Sequence, residues 1–505
     1  MRIIFFICSI ICISQFTSFS QFQDRIWIFG RPFSGSSNGT LYFGDLASPV
    51  VPLPGLQQPC NITSDNGIEN WAVATNPNTG ELIFYTDGKY VFNAQHELVD
   101  IDPSTPQYED LGAHPSSSQA VAISVVPKQP YLNYLIFSNP TGAFASSSGS
   151  GPITYRYYNL SNNSFSNSEL LPGSYSNTHV SEGMKILPCE TNHDILWLIT
   201  SLHPGINGNN KYIVYKIYQN TVFYHNEFSF GPQKICVSQN ASPILTIAYT
   251  NASDTIGITT VGFALQHTSR IFTCKFDNAN GQFFTDTYKE YDPGYSTIPS
   301  IYDLEFSPNG RFLYYSVYYT TSTENKLFQL DLNDATLYPT LVSAFNYRYA
   351  GGLQTGPDGL VYHIYDAGTF SNNVRIGRIL QPDNKYLPGT TNFASFYQMN
   401  FKTYTNLWSC GFCEFLLLPP SYSNVENSVG EKNFSFYPNP VYDWMKIVTE
   451  QSTKINIYDL DGTIVKTFLT DTPILNIKLV DIKSGVYILE FFIKGIKHNE
   501  KFVKF

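Results

Sequence analysis

Charge is in short supply in this chain. Asp, Glu, Lys and Arg make up 14% of its 505 residues, fewer than the aromatics at 16%. The 30 Lys and Arg set against 40 Asp and Glu leave a formal net charge of −10, and the basic residues form no cluster. That balance argues against nucleic acid, and against docking on an anionic lipid surface. Long apolar runs are also missing beyond the N-terminus, so no integral membrane segment is expected. Helical periodicity is absent too. The 36 Tyr and 38 Phe instead fall in alternating stretches, which favours strands.

Signatures of catalysis are equally sparse. No His-Glu-x-x-His occurs and no two histidines lie four apart, so no metal site is expected. His193-Asp194 precedes the strand-like ILWLIT and reads as a turn. Gly149-Ser150-Gly151 sits in the low-complexity run ASSSGSG, without the strand, sharp turn and helix of a nucleophile elbow. Thr63-Ser64-Asp65-Asn66-Gly67 with Trp71 is similar to the Asp-box turn of sialidase propellers. Glu69 stands where that box has Thr, Trp71 falls one place late, and neither repeats of the box nor an arginine cluster accompany it, so an ordinary turn is expected. Asp87, Glu97, Asp303 and Glu305 lie near strand ends, and Asp303-Leu304-Glu305 puts two carboxylates on one strand face. Glycoside hydrolysis needs two carboxylates facing each other across a pocket. Solvated strand ends carry such pairs routinely, and no Asp-x-Asp-x-Asp-Gly loop is present for calcium. No catalytic residue and no cofactor are assigned.

What the chain does contain begins with Arg2, the apolar run Ile3 to Phe16, and Ser18-Phe19-Ser20 before Gln21. Small residues at the −3 and −1 positions predict a signal peptide over 1–20, cut between Ser20 and Gln21. Cys8 and Cys12 lack the small preceding residue that lipidation wants. Six cysteines remain, Cys60, Cys189, Cys236, Cys274, Cys410 and Cys413, an even count that permits disulfides after export. Cys410-Gly411-Phe412-Cys413 leads into the strand-like Glu414–Leu418 rather than a helix N-terminus. A structural or loop disulfide between Cys410 and Cys413 is therefore expected over redox chemistry.

A repeat runs through the body, 21–418. Its unit is an alternating strand followed by a polar turn: ITYRYYNLSNNSF, YIVYKIYQNTVF, RIFTCKFDNANGQF, KLFQLDLNDATL and VRIGRILQPDNK. Anchored on the apolar residue before the turn, these give Leu160, Tyr218, Phe276, Leu332 and Leu380, spaced by 58, 58, 56 and 48. Looser copies at Leu46 and Phe92 make seven. A second recurring element, at Asn76–Gly80, Ser307–Gly310 and Gly356–Gly359, supplies tight turns between strands, and Asp87-Gly88 marks a hairpin. Strands at this spacing predict an all-β chain with a seven-bladed β-propeller. Arg25–Phe29 and Glu414–Leu418 are the expected pair closing the ring, beside Cys410 and Cys413.

Trp27–Gly30, GELIFYTDGKYVFNAQHELV, HPSSSQAVAISVVP, HDILWLIT, LEFSPNGRFLYYS and LQTGPDGLVYHIY, in that order, resemble a family of exported Bacteroidota propeller proteins. The resemblance covers about Asp24 to Leu418. It departs at Phe92, where Trp is commoner, and at CGFC, where a Gly-Leu-Pro-type ending is usual. These motifs mark blade turns and strands rather than a reaction.

Residues 419–433, PPSYSNVENSVGEKN, read as a linker. Residues 434–505 alternate in short strands, predicting a small Ig-like β-sandwich. Tyr437-Pro438-Asn439-Pro440 opens this segment, Gly485-Val486-Tyr487 starts a late strand, and Lys501 to Lys504 lies at its end. In that order these resemble the C-terminal sorting domain of cargo of the type IX secretion system of Bacteroidota. The resemblance implies a sorting signal carried by Tyr437, Pro438, Asn439, Pro440, Gly485, Tyr487, Lys501 and Lys504, and the secretion machinery as partner. It also implies passage through the periplasm to the outer surface or medium, with cleavage in the linker.

The functional expectation is a non-catalytic surface or secreted protein that binds a glycan or peptide at the propeller mouth, where Tyr and Trp offer flat apolar faces with polar tips. The alternatives are a propeller glycoside hydrolase or lyase with axial carboxylates, and a structural component of a surface machine.

Overall fold

The computed structural model describes residues 26–28, 40–42, 71–76, 81–105, 109–114, 117–127, 132–141, 151–173, 180–189, 192, 194–202, 211–232, 236–242, 246–251, 254–265, 270–291, 300–318, 326–334, 338–342, 349–356, 358–366, 374–387, 392–398, 414–415, 434–437, 444–449, 453–459, 463–470, 474–483, 485–493 and 496–504. Among these, regular structure is all strand, and no helix is long and apolar enough to cross a membrane. The chain divides into two compact units, Met1–Asn424 and Val425–Phe505.

The first unit is a succession of small antiparallel sheets in chain order. Sheet I pairs Ile26–Ile28 with Thr40–Tyr42. Sheet II runs Ala72–Thr75, Leu82–Thr86, Val91–Asn93 and Leu98–Val99. Sheet III runs Val121–Val125, Asn133–Ser138, Thr154–Asn159 and Ser164–Phe165, with Glu169–Leu170 also on its third strand. Sheet IV is Val180–Pro188, Ile195–Leu202, Lys211–Tyr218 and Thr221–Ser229. Sheet V is Cys236–Ala241, Asp254–Leu265, Ile271–Asp277 and Gln282–Tyr291, with Thr246–Asn251 added on its second strand. Sheet VI is Ser300–Phe306, Phe312–Tyr318, Lys326–Asp331 and Thr340–Leu341, and sheet VII is Tyr349–Thr355, Val361–Asp366, Val374–Ile379 and Phe393–Gln398. Four-stranded sheets of this size are those of propeller-like blades.

The repeat found in the sequence is the third strand of each sheet and the hairpin after it. Tyr218 and Phe276 lie within third strands, Leu160, Leu332 and Leu380 immediately follow them, and Phe92 occupies the third strand of sheet II. Leu46 lies outside the described residues. The turn motifs also behave as turns. Gly310 takes φ +66° with its N–H on Ser307 O at 2.8 Å, and Gly359 takes φ +74° with its N–H on Gly356 O at 2.9 Å. At the Asp87-Gly88 hairpin, Asp87 Oδ1 accepts from the amides of Lys89 (2.9 Å) and Tyr90 (2.7 Å).

Packing follows from hydrophobicity. One sheet cannot bury two apolar faces, so neighbours must cover them. The second strands Asn133–Ser138 and Ile195–Leu202 are accordingly buried along their whole length, while the fourth strand Thr221–Ser229 is largely open to solvent. Core clusters join neighbouring sheets. One spans sheets II to IV, another IV and V, a third V and VI, and a fourth VI and VII. First strands of successive sheets from II to VII lie side by side. Sheet I touches both ends of this series: Ile26–Ile28 contacts Ala72–Thr75, and Trp27 meets Tyr362 of sheet VII edge to face at 5.2 Å.

Two expectations differ from the structure. Ile26–Ile28 does not pair with Glu414–Phe415. The latter lies parallel to Ala72–Val73, on the free inner edge of sheet II. An unpaired first strand offers ladder groups there, which a returning segment satisfies. Cys189, Cys236 and Cys274 are thiols buried in the sheets rather than disulfide partners. Cys60, Cys410 and Cys413, with the proposed Cys410–Cys413 bridge, lie outside the described residues, as do Ser20, Gln21 and the stretch 419–433.

In the second unit, Phe434–Tyr437, Trp444–Thr449 and Ile474–Lys478 form one sheet. Thr453–Tyr458, Ile464–Thr470, Gly485–Ile493 and Ile496–Lys504 form another. Met445, Ile447 and Ile477 of the first sheet share one core with Ile455, Ile457, Leu489, Phe491 and Phe502 of the second.

Candidate functional site at the inner strands

Apolar strands carry polar residues at a cost unless each polar group finds a partner. The first strands of the first unit carry many. In sheets IV to VII their register with the second strand breaks, between Val180 and Met184, Cys236 and Ser238, Ile301 and Asp303, and Ala350 and Leu353. Each break releases backbone groups from the ladder and bends the strand. Side chains from neighbouring sheets take up the released groups.

Gln119, just before the first strand of sheet III, reaches both following sheets. Its Oε1 accepts from the amides of Met184 (2.8 Å) and Gln239 (3.0 Å), and its Nε2 donates to Gln239 O at 2.9 Å. Gln239 Nε2 in turn donates to Gly183 O at 2.9 Å. Gly183 makes room for this crossing, since a Cβ there would fall 2.9 Å from Cys236 Sγ and from Gln239 Cγ. Asn139 Nδ2 donates to Ser181 O (2.9 Å) and Glu182 O (3.1 Å). Further round, Asn240 Nδ2 donates to Glu305 Oε2 at 2.8 Å, and Asp303 Oδ2 accepts from the Leu353 amide at 2.7 Å.

The acids here are unlike surface carboxylates. Glu182 accepts from the Ser118 amide at 2.8 Å, yet burial pushes its carboxyl up to about 8 against the weaker opposing pull of Ser118. Burial likewise raises Glu305 to about 7, with Asp303 adding to the rise while Lys185 and Asn240 oppose it. Burial drives the Cys236 thiol well above its usual range, so it is a neutral thiol, and the charge of Glu182 adds to the rise. His363, fully buried in sheet VII, is pulled down to about 3 by desolvation and is neutral.

Of the four carboxylates singled out in the sequence, Asp303 and Glu305 belong to this network. Asp87 caps its hairpin, and Glu97 accepts from Asn93 Nδ2 at 3.0 Å in another turn. Gln119, Asn139, Glu182, Gln239 and Asn240 escaped the sequence reading. The one signal available was Ser181-Glu182-Gly183 interrupting an otherwise apolar strand. Among the described residues no group of three or more His, Cys, Asp or Glu is arranged to hold a metal ion.

In the second unit, the late strand and the terminal lysines of the expected sorting signal come together as one hairpin. Gly485 pairs with Lys504, Tyr487 with Phe502, and Ile488 with Lys501. Tyr487 is buried, stacks on Phe502 at 5.6 Å, and donates its hydroxyl to Lys483 O at 2.8 Å. Lys504 is buried as well. Tyr437 ends the strand Phe434–Tyr437, pairing with Lys446, while Pro438, Asn439 and Pro440 lie outside the described residues.

A family profile described as a secretion system C-terminal sorting domain matches residues 435–504. The chain carries a type IX sorting domain. Export by that route delivers it to the cell surface or the extracellular space. No curated protein matches the chain. Among solved structures it is similar to PorZ, a surface component of the type IX secretion system of Porphyromonas gingivalis, at 10% identity and a TM-score of 0.24, covering 95% of this chain and 86% of that one. It is also similar to hydrazine synthase of Kuenenia stuttgartiensis (10%, TM-score 0.38, 82% and 99% covered). An exo-β-1,3-galactanase of Phanerochaete chrysosporium is a third (9%, TM-score 0.32, 80% and 98% covered). Superpositions this loose lend the chain no activity.

Proposed function

We propose that this protein is exported cargo of the type IX system whose first unit is a closed seven-bladed propeller acting as a non-catalytic binding module for a glycan or peptide. A signal peptide over 1–20, a cleavable linker over 419–433 and an Ig-like sorting sandwich over 434–505 complete the reading. Tyr437, Pro438, Asn439, Pro440, Gly485, Tyr487, Lys501 and Lys504 are its recognition elements. The contact of sheet I with both sheet II and sheet VII supports ring closure.

The observation that carries the non-catalytic reading is the commitment of the inner-strand acids. A hydrolase needs one carboxyl free to give a proton and another free to attack or activate water. Asp303 instead holds the amides of Leu304 (2.9 Å) and Leu353, and Glu305 holds Asn240. These carboxyls tie strands together. The test is a glycan and peptide array probed with the mature chain, with each captured ligand then incubated and assayed for cleavage. Saturable binding with the ligand recovered intact is expected. Turnover of a glycan that disappears in Glu305→Gln would overturn the reading in favour of a hydrolase or lyase.

A further inference from the structure

The four-stranded sheet of the second unit has two edges of opposite character. Its strands lie in the order Ile464–Thr470, Thr453–Tyr458, Gly485–Ile493 and Ile496–Lys504. Ile496–Lys504 carries Lys497, His498, Glu500 and Lys501, and charge along an edge deters a further strand. The opposite edge, Ile464–Thr470, reads IVKTFLT, with no proline and a single charge. Among the described residues no strand pairs with it on the side away from Thr453–Tyr458. Leu469 is 78% exposed, Ile464 51% and Val465 40%, while Phe468 packs on the core. Val465 is the extra residue of a bulge: Lys466 pairs with Ile457 and Ile464 with Tyr458, which leaves Val465 out of the ladder. Apolar side chains held in water along a free edge are unfavourable until another strand covers them.

The strand's own sequence fits a second copy of itself. Its one cation is already balanced, because Lys466 Nζ donates to Asp481 Oδ1 at 2.6 Å and to Lys478 O at 3.0 Å. Two copies laid antiparallel about Thr467 set no like charges opposite each other, since Lys466 then faces Phe468. The same register places Val465 opposite Leu469 on both sides of the two-fold axis, and Thr467 opposite its own copy. Apolar pairs and Thr–Thr pairs of this kind stabilise an antiparallel ladder. We propose that Ile464–Thr470 is a self-association edge, through which two copies of this chain pair antiparallel about Thr467 and join their four-stranded sheets into one of eight strands. Such an interface uses the same patch on both copies and closes as a dimer. Seven residues from each copy bury less than a standard interface, so association is weak, with half-dimerisation expected at roughly 10 μM.

Analytical ultracentrifugation of the full chain across a concentration series should show monomer passing to dimer. Leu469→Lys puts a charge into the apolar pair with Val465 and should raise the half-dimerisation concentration at least about tenfold. Tyr338→Lys, at a site 77% exposed in the first unit, should leave it unchanged. The register has its own readout. Full chains carrying Val465→Cys, mixed with chains carrying Leu469→Cys, should form a disulfide-linked dimer on mild oxidation that neither variant alone nor the unaltered chain forms. A monomer at every concentration would overturn the proposal, as would a dimer that Leu469→Lys leaves intact. A chain that stays monomeric, and whose export from cells is blocked by Leu469→Lys, would assign the edge to the secretion machinery instead. Should Leu469→Lys fail to fold, the cross-linking decides: a disulfide dimer confined to the mixture supports self-pairing, and equal cross-linking in every sample sinks it.

Discussion

First and second strands of the same sheets are built on opposite plans. The second strand of sheet IV, Ile195–Leu202, is buried from end to end and keeps unbroken register with the strand after it. The first strand, Val180–Pro188, is also mostly buried, yet it breaks register at Ser181–Gly183 and draws on side chains of sheets III and V. Burial is similar and the source of order is not. The second strand is held mainly by apolar contact, which is non-directional, with Trp197 adding one directed bond to Asn278 O. The first strand is held by directed bonds that fix which neighbour stands beside it and in what register.

Trp197→Ala should produce the largest effect. It empties a buried indole site and removes the bond from Nε1 to Asn278 O (2.8 Å), so a loss of about 3–5 kcal/mol is expected in denaturant unfolding. A pH titration probes the first strands. The folded carboxyl of Glu305 stands near 7, above the value of about 4.5 of an open chain, so folding favours its protonated form. Its contribution is fully present below about pH 4.5 and is lost as pH rises through 7, on the order of 3 kcal/mol. Glu305→Gln should flatten that slope, and a slope equal in both proteins would assign it to other groups.

Gly183→Ala comes next. The added methyl collides with Cys236 Sγ and Gln239, and Gln239 cannot retreat without leaving Gly183 O, so about 2 kcal/mol of stability should go. The same change at an exposed position should leave the unfolding midpoint in place. Tyr487→Phe, in the second unit, removes a hydroxyl bond to Lys483 O while keeping the ring on Phe502. About 1 kcal/mol is expected there by calorimetry. The smallest effect belongs to Lys385→Ala, whose exposed pair with Asp334 at 3.0 Å should be worth under about 0.5 kcal/mol and vanish in salt.

The third strands and their turns were far more legible in the sequence than the first strands. Alternation and turn chemistry are local, so the strand-and-turn unit ending at Tyr218 or Phe276 located third strands correctly, and Pro308-Asn309-Gly310 announced its turn. The partners of the first strands are remote. Gln119 and Gln239 meet across 120 residues, and Asn240 and Glu305 across 65. No pattern within a window of ten or twenty residues can pair them. Asp303 and Glu305 drew notice because two carboxylates on one strand face are conspicuous, but their partners, Leu353 and Asn240, gave no local sign. The pairing expected between the two terminal segments failed for a related reason: Glu414–Phe415 and Ile26–Ile28 are both short, and which edge each satisfies depends on where the other sheets stand.

The hairpin turns carry a consequence for how the body comes together. Trp197 of sheet IV gives its indole proton to Asn278, 81 residues onward in sheet V, and Tyr314 of sheet VI gives its hydroxyl proton to Pro382, 68 residues onward in sheet VII at 2.8 Å. In both cases the lid for one blade is tailored from the tip of its successor. A chain halted after Leu341 would therefore contain every strand of sheet VI, with Gln329 still donating to the Tyr314 hydroxyl, and yet leave that hydroxyl proton without the acceptor that only later residues bring.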